Sequence, residues 1–488
     1  MILTNKLFPA RACTRAFKAA GLILVFLALA ACAGMNAAGD ESTVPVHEFV
    51  ARSLETIEVH TLSNGVPVII KHNDANRVFS LKVIWDGGVA MTTPEQAGIE
   101  AFTLALMTRG TADYSYSMLN QMEYELSSAI SSSAVGYDWA SLDLNTLDKY
   151  WDELFSVFAA CVMSPAFSED EFNQLKSETV VALQSALRDP YNIAVQQLNQ
   201  QFFAGHPYQA DFAGTIASIQ ALTLAQVRDY YTQKLAADRM AIVAVGNFNA
   251  DELVADLEAT LGTMGRTGVT KPAIPAVRGQ TDVIQLPLAS SKDVAYVRGN
   301  YIIAPANSRD FVALQLAYSM LNELLFDILR TEHGACYSTW SNAHGFRVAY
   351  GSLVVFKTDQ PENVKAWIDE AIAVLAAGNS KNITVAEGNY APLADTIEAY
   401  KAKYINSFFG NQQTNAEMAA QLASSLVTYG RPTEYLFLID KINAITADDI
   451  VRVINRYVVD APITWIIASD GPTLARVDES VYRRYTGH

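Results

Sequence analysis

The chain has 488 residues, half of them hydrophobic and 18% charged, with a formal charge of −16. That length accommodates two or more domains with complete cores, and the composition is ordinary for a globular α/β protein. The acidic balance, with no basic stripe, excludes nucleic acid as a partner.

The N-terminus is a targeting segment. Lys6, Arg11, Arg15 and Lys18 form a basic region ahead of the apolar run GLILVFLALAAC, the pattern of a secretory signal and short for a membrane span. Leu29-Ala30-Ala31-Cys32 resembles a bacterial lipobox, which makes Cys32 the lipidated start of the mature chain. Ordinary signal cleavage near Ala31 or Ala38 is the alternative. Ala33 stands where an aspartate would suggest inner-membrane retention, so the expected site is the periplasmic side of a Gram-negative envelope, lipid-anchored to the outer membrane. Loss of residues 1–31 removes four basic and no acidic residues, taking the charge from −16 to −20. Cys13 leaves with the signal, and Cys161 (in the apolar run VFAACVM) and Cys336 fall in different halves, so no disulfide framework is indicated. Residues 32–50 are small and polar, a tether.

Thr56–Leu62 and Val66–His72 alternate around Asn64-Gly65, a strong hairpin signal. A third strand, Val78–Trp85, leads through Gly87-Gly88 into GIEAFTLALMTRGT, residues 98–111, a buried helix stopped by a glycine. Helical patterns flank a strand near Trp139–Asn145, and a long helix runs from Glu169 to about Leu187. HPYQADFAGTIASIQALTLAQVRDYY (206–231), a strand Met240–Gly246 and a helix near Ala250–Leu261 close the first half. Residues 265–280, with two prolines and three glycines, are a linker. After them come strands Asp282–Leu286 and Val294–Ile303, a helix through Leu314–Leu329 and a strand Gly351–Lys357. Ile219–Thr223 and Ile442–Thr446 each open a helix followed by a strand, Met240–Val245 and Ile463–Ala468, which indicates duplication. The expected fold is α+β: two homologous halves of about 200 residues, 51–264 and 281–488, each a mainly antiparallel sheet packed with helices.

The 98–111 stretch resembles the zinc helix of the pitrilysin/insulinase family of metallopeptidases, which includes the mitochondrial processing peptidases. There it carries the reversed zinc motif H-x-x-E-H. The resemblance, including the 206–231 segment, covers roughly residues 50–480. On that pattern the two histidine positions fall on Ala101 and Ala105, and the glutamate position on Leu104. Imidazoles at i and i+4 share a helix face and grip one ion while the carboxylate polarises its water. Alanine and leucine do neither. The family's remaining ligand, a glutamate on a later helix, falls on Gln184 when SETVVALQSAL is matched through Val180-Val181, with Glu178 nearby. A neutral amide is a poor zinc ligand. None of the seven histidines forms a compact ligand cluster by sequence, and His206 is a loop or packing residue. The resemblance therefore implies the fold without the metal: no cofactor in this chain and no activity alone.

Leu325–Ser338, LFDILRTEHGACYS, resembles the family's L-F-x-x-L-R-x-x-x-G-L-x-Y-S. In that family the arginine and tyrosine reach across a chamber into the zinc site, and here they are Arg330 and Tyr337. A guanidinium and a phenol donate to the scissile carbonyl and steady the oxyanion it becomes. Taken singly, Arg330 is an ordinary surface salt bridge and Tyr337 an ordinary core residue; the pair at this spacing favours function. His333 and Cys336 are bystanders. Val354–Thr358 followed by Pro361-Glu362-Asn363 resembles the family's edge strand and helix start, where an extended peptide could pair.

Some members of the family divide labour between subunits. The expectation is thus a non-catalytic subunit of a heterodimeric periplasmic zinc peptidase. Its homologous partner would carry the intact H-x-x-E-H and the zinc, and its substrates would be peptides. The alternative is a scaffold or binding protein, like the core subunits of the respiratory cytochrome bc1 complex. A self-sufficient peptidase has little support, with no G-x-S-x-G motif and no cysteine in a compelling site.

Overall fold

The computed structural model describes residues 46–483 apart from 135, 386–388 and 460. The signal segment, Cys32 and most of the expected tether lie outside the described residues. Helix α1, Val46–Glu55, begins inside the stretch expected to be tether.

The first half is built on a six-stranded sheet: β1 Ile57–Thr61, β2 Pro67–His72, β3 Val78–Asp86, β4 Ala129–Ser133, β5 Trp139–Leu147 and β6 Met240–Gly246, in the order β1-β2-β6-β3-β5-β4. Only β2 and β6 run parallel. The Asn64-Gly65 turn closes the β1–β2 hairpin, with the Leu62 N–H donating to the Val66 carbonyl at 2.9 Å. β6, MAIVAVG, is buried at every residue, the unbroken apolar run of an inner strand. At the far edge β4 is AISSS, with Ile130 alone buried. Its serines blunt an edge that would otherwise invite pairing.

The second half repeats this plan. Its strands β7 Val283–Pro287, β8 Ala295–Ile302, β9 Cys336–His344, β10 Tyr350–Thr358 and β11 Thr464–Ser469 lie in the order β7-β11-β8-β10-β9. Again one pair, β7 and β11, is parallel and the rest antiparallel. Strand for strand this is β2-β6-β3-β5-β4, so the two halves are homologous in topology as well as in sequence pattern. Residues 264–282 carry no helix or strand and join them.

Four helices matter for the site. In the first half α2, Ile99–Met107, follows β3, and α3, Glu169–Ala186, precedes α4, Pro190–Phe202. In the second half α5, Arg309–Leu325, follows β8 as α2 follows β3. Arg309–Glu332 is apolar and long enough to cross a membrane, but 67% of its most hydrophobic window is buried in the core of its own half.

The halves exchange helices. Ala194 and Leu198 of α4 pack on Tyr296, Ile466 and Ala468 of the second sheet. In return α6, Asn415–Tyr429, lies against the first sheet, where its Asn415 amide donates to the Val78 carbonyl. Polar contacts reinforce the seam: Arg347 pairs with Asp86 at 2.6 Å, and its backbone N–H donates to Asp138 at 2.8 Å. Burial raises the Asp138 carboxyl above its ordinary range, offset in part by the hydrogen bond from Tyr208.

One expectation fails. Val354–Thr358 belongs to β10, which is paired on both sides, to β8 and to β9. Leu353 and Val355 are fully buried, so this strand cannot be an edge. The edges of this sheet are β7 and β9, and β9 is the strand that carries Tyr337.

Candidate functional site

Helix α2 starts from Gly98, whose φ of 83° is left-handed and whose Cα side faces the backbone of Gly214. A Cβ at Gly98 would sit 2.6 Å from the Gly214 Cα, so only glycine allows this approach. Ser218 locks the same corner by donating to the Ala97 carbonyl at 2.8 Å. This is what the 206–231 segment does: it fixes the N-terminus of α2. His206 belongs to that clamp, with Nε2 3.0 Å from the Pro275 carbonyl and Nδ1 accepting from the Tyr208 N–H.

Along α2, Leu104 is fully buried, while Ala101 and Ala105 are half-buried. The crevice beside Ala101, shared with Trp139, measures about 10 Å³, at the threshold for a single water. The adjacent Glu100 does not replace a ligand. It points into the core, 2.6 Å from Arg239 Nη2 and accepting from the Tyr230 hydroxyl at 2.7 Å. Burial, then the charge of Glu100, holds the Tyr230 phenol well above its usual range. Sequence alone did not show this triad, because Glu100 lies more than a hundred residues from both Tyr230 and Arg239.

On α3, Gln184 is exposed. Glu178 is engaged by Arg109 and by Gln174 at 2.9 Å, and these hydrogen bonds hold its carboxyl below the ordinary value. Arg109 also lies over the Tyr116 ring. Among the described residues no group of three or more histidine, cysteine, aspartate or glutamate side chains could hold a metal. His60 and His72 do meet at Glu58, at 3.0 and 2.9 Å, a convergence made by the β1–β2 hairpin, but each ring spends its Nε2 on that carboxylate. The described residues at the motif positions, Ala101, Leu104, Ala105 and Gln184, therefore do not fit a zinc ion. The thiols offer no substitute: burial pushes Cys161 up to about 12 and Cys336 up to about 11, so neither is a nucleophile near neutrality.

The second half differs at the corresponding corner. After α5 the helix widens into a π-helical turn, Phe326–Glu332, ending on Gly334 with a φ of 58°. The expected helix through Leu329 therefore changes type at Phe326. Single π turns recur at functional sites because they reorient one side chain without ending the helix. Here the side chain is Arg330. Its guanidinium lies 5.2 Å from the Phe326 ring and 5.6 Å from the Tyr337 ring, and donates to the Tyr337 carbonyl. No carboxylate pairs with Arg330 among the described residues, and Tyr337 is 67% exposed. Neither residue serves the core or a surface ion pair.

Across from Tyr337, between the pairs Ser338–Phe356 and Cys336–Thr358, stands Lys357 at a φ of 58°, where β10 shifts register against β8 between Val355 and Thr358. A lysine in that region is uncommon and stores strain. The sequence carried no signal for it. Rings continue inward from Tyr337 to Phe356 (6.3 Å) and on to Tyr191 of α4 (5.3 Å). The corner thus presents a fixed cation, a phenol, an aromatic floor and an open strand edge. His333 stands apart, stacked on Trp367.

Comparison with known proteins places this arrangement in a class. Residues 221–391 match the Peptidase M16 inactive domain. The chain is 21% identical over 464 residues to a probable mitochondrial-processing peptidase subunit beta of Arabidopsis thaliana, covering 90% of this chain and 83% of that one. It is 20% identical over 294 residues to the non-peptidase homolog YmxG of Helicobacter pylori, covering 58% and 66%. The crystal structure of a peptidase M16 inactive domain from Pseudomonas fluorescens superposes with a TM-score of 0.74 at 17% identity, covering 85% of this chain and 98% of that one. The chain thus resembles pitrilysin/insulinase-type peptidase homologues of the inactive kind, and Ala101, Leu104 and Ala105 stand where the zinc motif would be.

Proposed function

We propose that the chain is the non-catalytic subunit of a heterodimeric zinc peptidase and lends Arg330 and Tyr337 to the active site of its partner. The observation that carries this reading is the contrast between the two corners. The metal positions are filled by Ala101, Leu104, Ala105 and Gln184, whereas Arg330 is held by two rings and a carbonyl with donors to spare. Zinc and general base come from a homologous partner with an intact H-x-x-E-H. The mitochondrial-processing relative is itself a subunit, which supports a partnered role.

In this reading a peptide pairs with the open edge of β9, its side chains over Phe356. The Arg330 guanidinium and the Tyr337 hydroxyl donate to the scissile carbonyl oxygen as it gains negative charge. Being fixed beforehand, they need no reorganisation at that moment. The proposed setting is the periplasmic face of the outer membrane, with Cys32 as lipid anchor; labelling by a fatty-acid analogue, absent in Cys32→Ser, tests it.

The functional test is hydrolysis of a quenched fluorescent peptide. The chain alone is silent, mixing with the partner gives activity, and Arg330→Ala in the mixture lowers it about 10²–10³-fold. Activity on mixing that is indifferent to Arg330→Ala would favour the scaffold reading.

A further inference from the structure

The duplicated topology sets α5 where α2 stands, and the space beside the two helices differs. Next to α2 the crevice is about 10 Å³; next to the first turns of α5 lies a cavity of about 740 Å³. Trp139 lines both, so the large cavity adjoins the disabled site across the seam between the halves. Its size is that of a ligand site.

Its wall has a definite chemistry. Tyr404, Phe408 and Tyr429 supply rings; Gln315, Asn411 and Gln421 supply amides. The three amide side chains make no hydrogen bond within the described protein, so their capacity is unspent. The charged residues are already engaged. Arg309 pairs with Asp449 at 3.0 Å, Lys441 with Glu434 at 2.6 Å, and Asp138 accepts from Tyr208 and the Arg347 N–H. Tyr435 closes the site with a buried hydroxyl that has no partner.

We propose that this cavity binds an uncharged peptide segment carrying an aromatic side chain. Rings stack on rings, free amides bond the peptide backbone, and the self-paired charges leave nothing for a charged side chain, whose desolvation would go uncompensated. The choice of a peptide rests on the peptidase-subunit reading; the cavity and its preference for neutral ligands do not.

The test uses the purified chain alone and needs no turnover. Fluorescein-labelled, end-capped Gly-Phe-Asn-Phe-Gly is compared by anisotropy with its Lys and Glu counterparts. The neutral peptide binds saturably and the charged ones at least about tenfold more weakly. Ser424→Trp, which puts a bulky ring at an exposed point of the cavity wall, weakens binding about tenfold, and Gln421→Ala weakens it about threefold. Arg330→Ala leaves it unchanged, which separates this site from the catalytic corner. Equal binding of all three peptides, no saturable binding, or indifference to both cavity variants would overturn the proposal.

Discussion

The first and second halves of this chain share a topology and have diverged at one corner. In the first, α2 is pinned by Gly98 on Gly214 and packed by Leu104, and the crevice beside Ala101 measures about 10 Å³. In the second, a π turn and a left-handed lysine keep Arg330 and Tyr337 at the surface beside an open edge. The difference teaches that two corners of one topology can be put to different uses. The first corner has been absorbed into the core; the second holds exposed groups in costly conformations that packing alone does not require.

The sharpest break of this contrast is to reinstall the lost chemistry. Leu104→Glu puts a carboxylate at a fully buried position and is expected to cost about 4 kcal/mol without creating zinc affinity, measured by urea denaturation with and without zinc. Arg330→Ala is expected to leave the urea midpoint within about 0.5 kcal/mol, as for a surface residue. In the mixed peptidase it removes about 3–4 kcal/mol of transition-state stabilisation, read as kcat/KM. Gly98→Ala, against the Gly214 backbone at a φ of 83°, should destabilise by about 2–3 kcal/mol; Gly334→Ala, with open space around its Cα, should cost about 1 kcal/mol.

A further effect concerns pH. His344 on β9 is stacked on Tyr350 and bonded to Ser352, and burial, then Arg298, pushes its imidazole down to about 3. Between pH 6.5, where the unfolded ring titrates, and about 3, the unfolded chain binds a proton that the folded chain refuses. Stability therefore falls as pH falls through that window, by up to about 1.4 kcal/mol per unit. His344→Gln should flatten this slope, seen in urea midpoints between about pH 7 and 4.

Much of the fold was legible because its signals are local. The Asn64-Gly65 hairpin, the apolar run of β6 and the glycine-stopped α2 each follow from a dozen neighbouring residues. That Arg330 and Tyr337 come together was legible for the same reason, seven residues apart across one turn. What stayed hidden depends on distant partners. Strand order made β9 rather than β10 the edge; Glu100 finds Arg239 and Tyr230 only after folding; and α4 and α6 cover each other's sheets through contacts that no periodicity records.

The most direct test of the account is metal analysis of the chain expressed with zinc, alone and with its H-x-x-E-H partner. The account predicts less than about 0.1 zinc per chain alone and about one per heterodimer. One tightly held zinc per chain in the absence of any partner would contradict it.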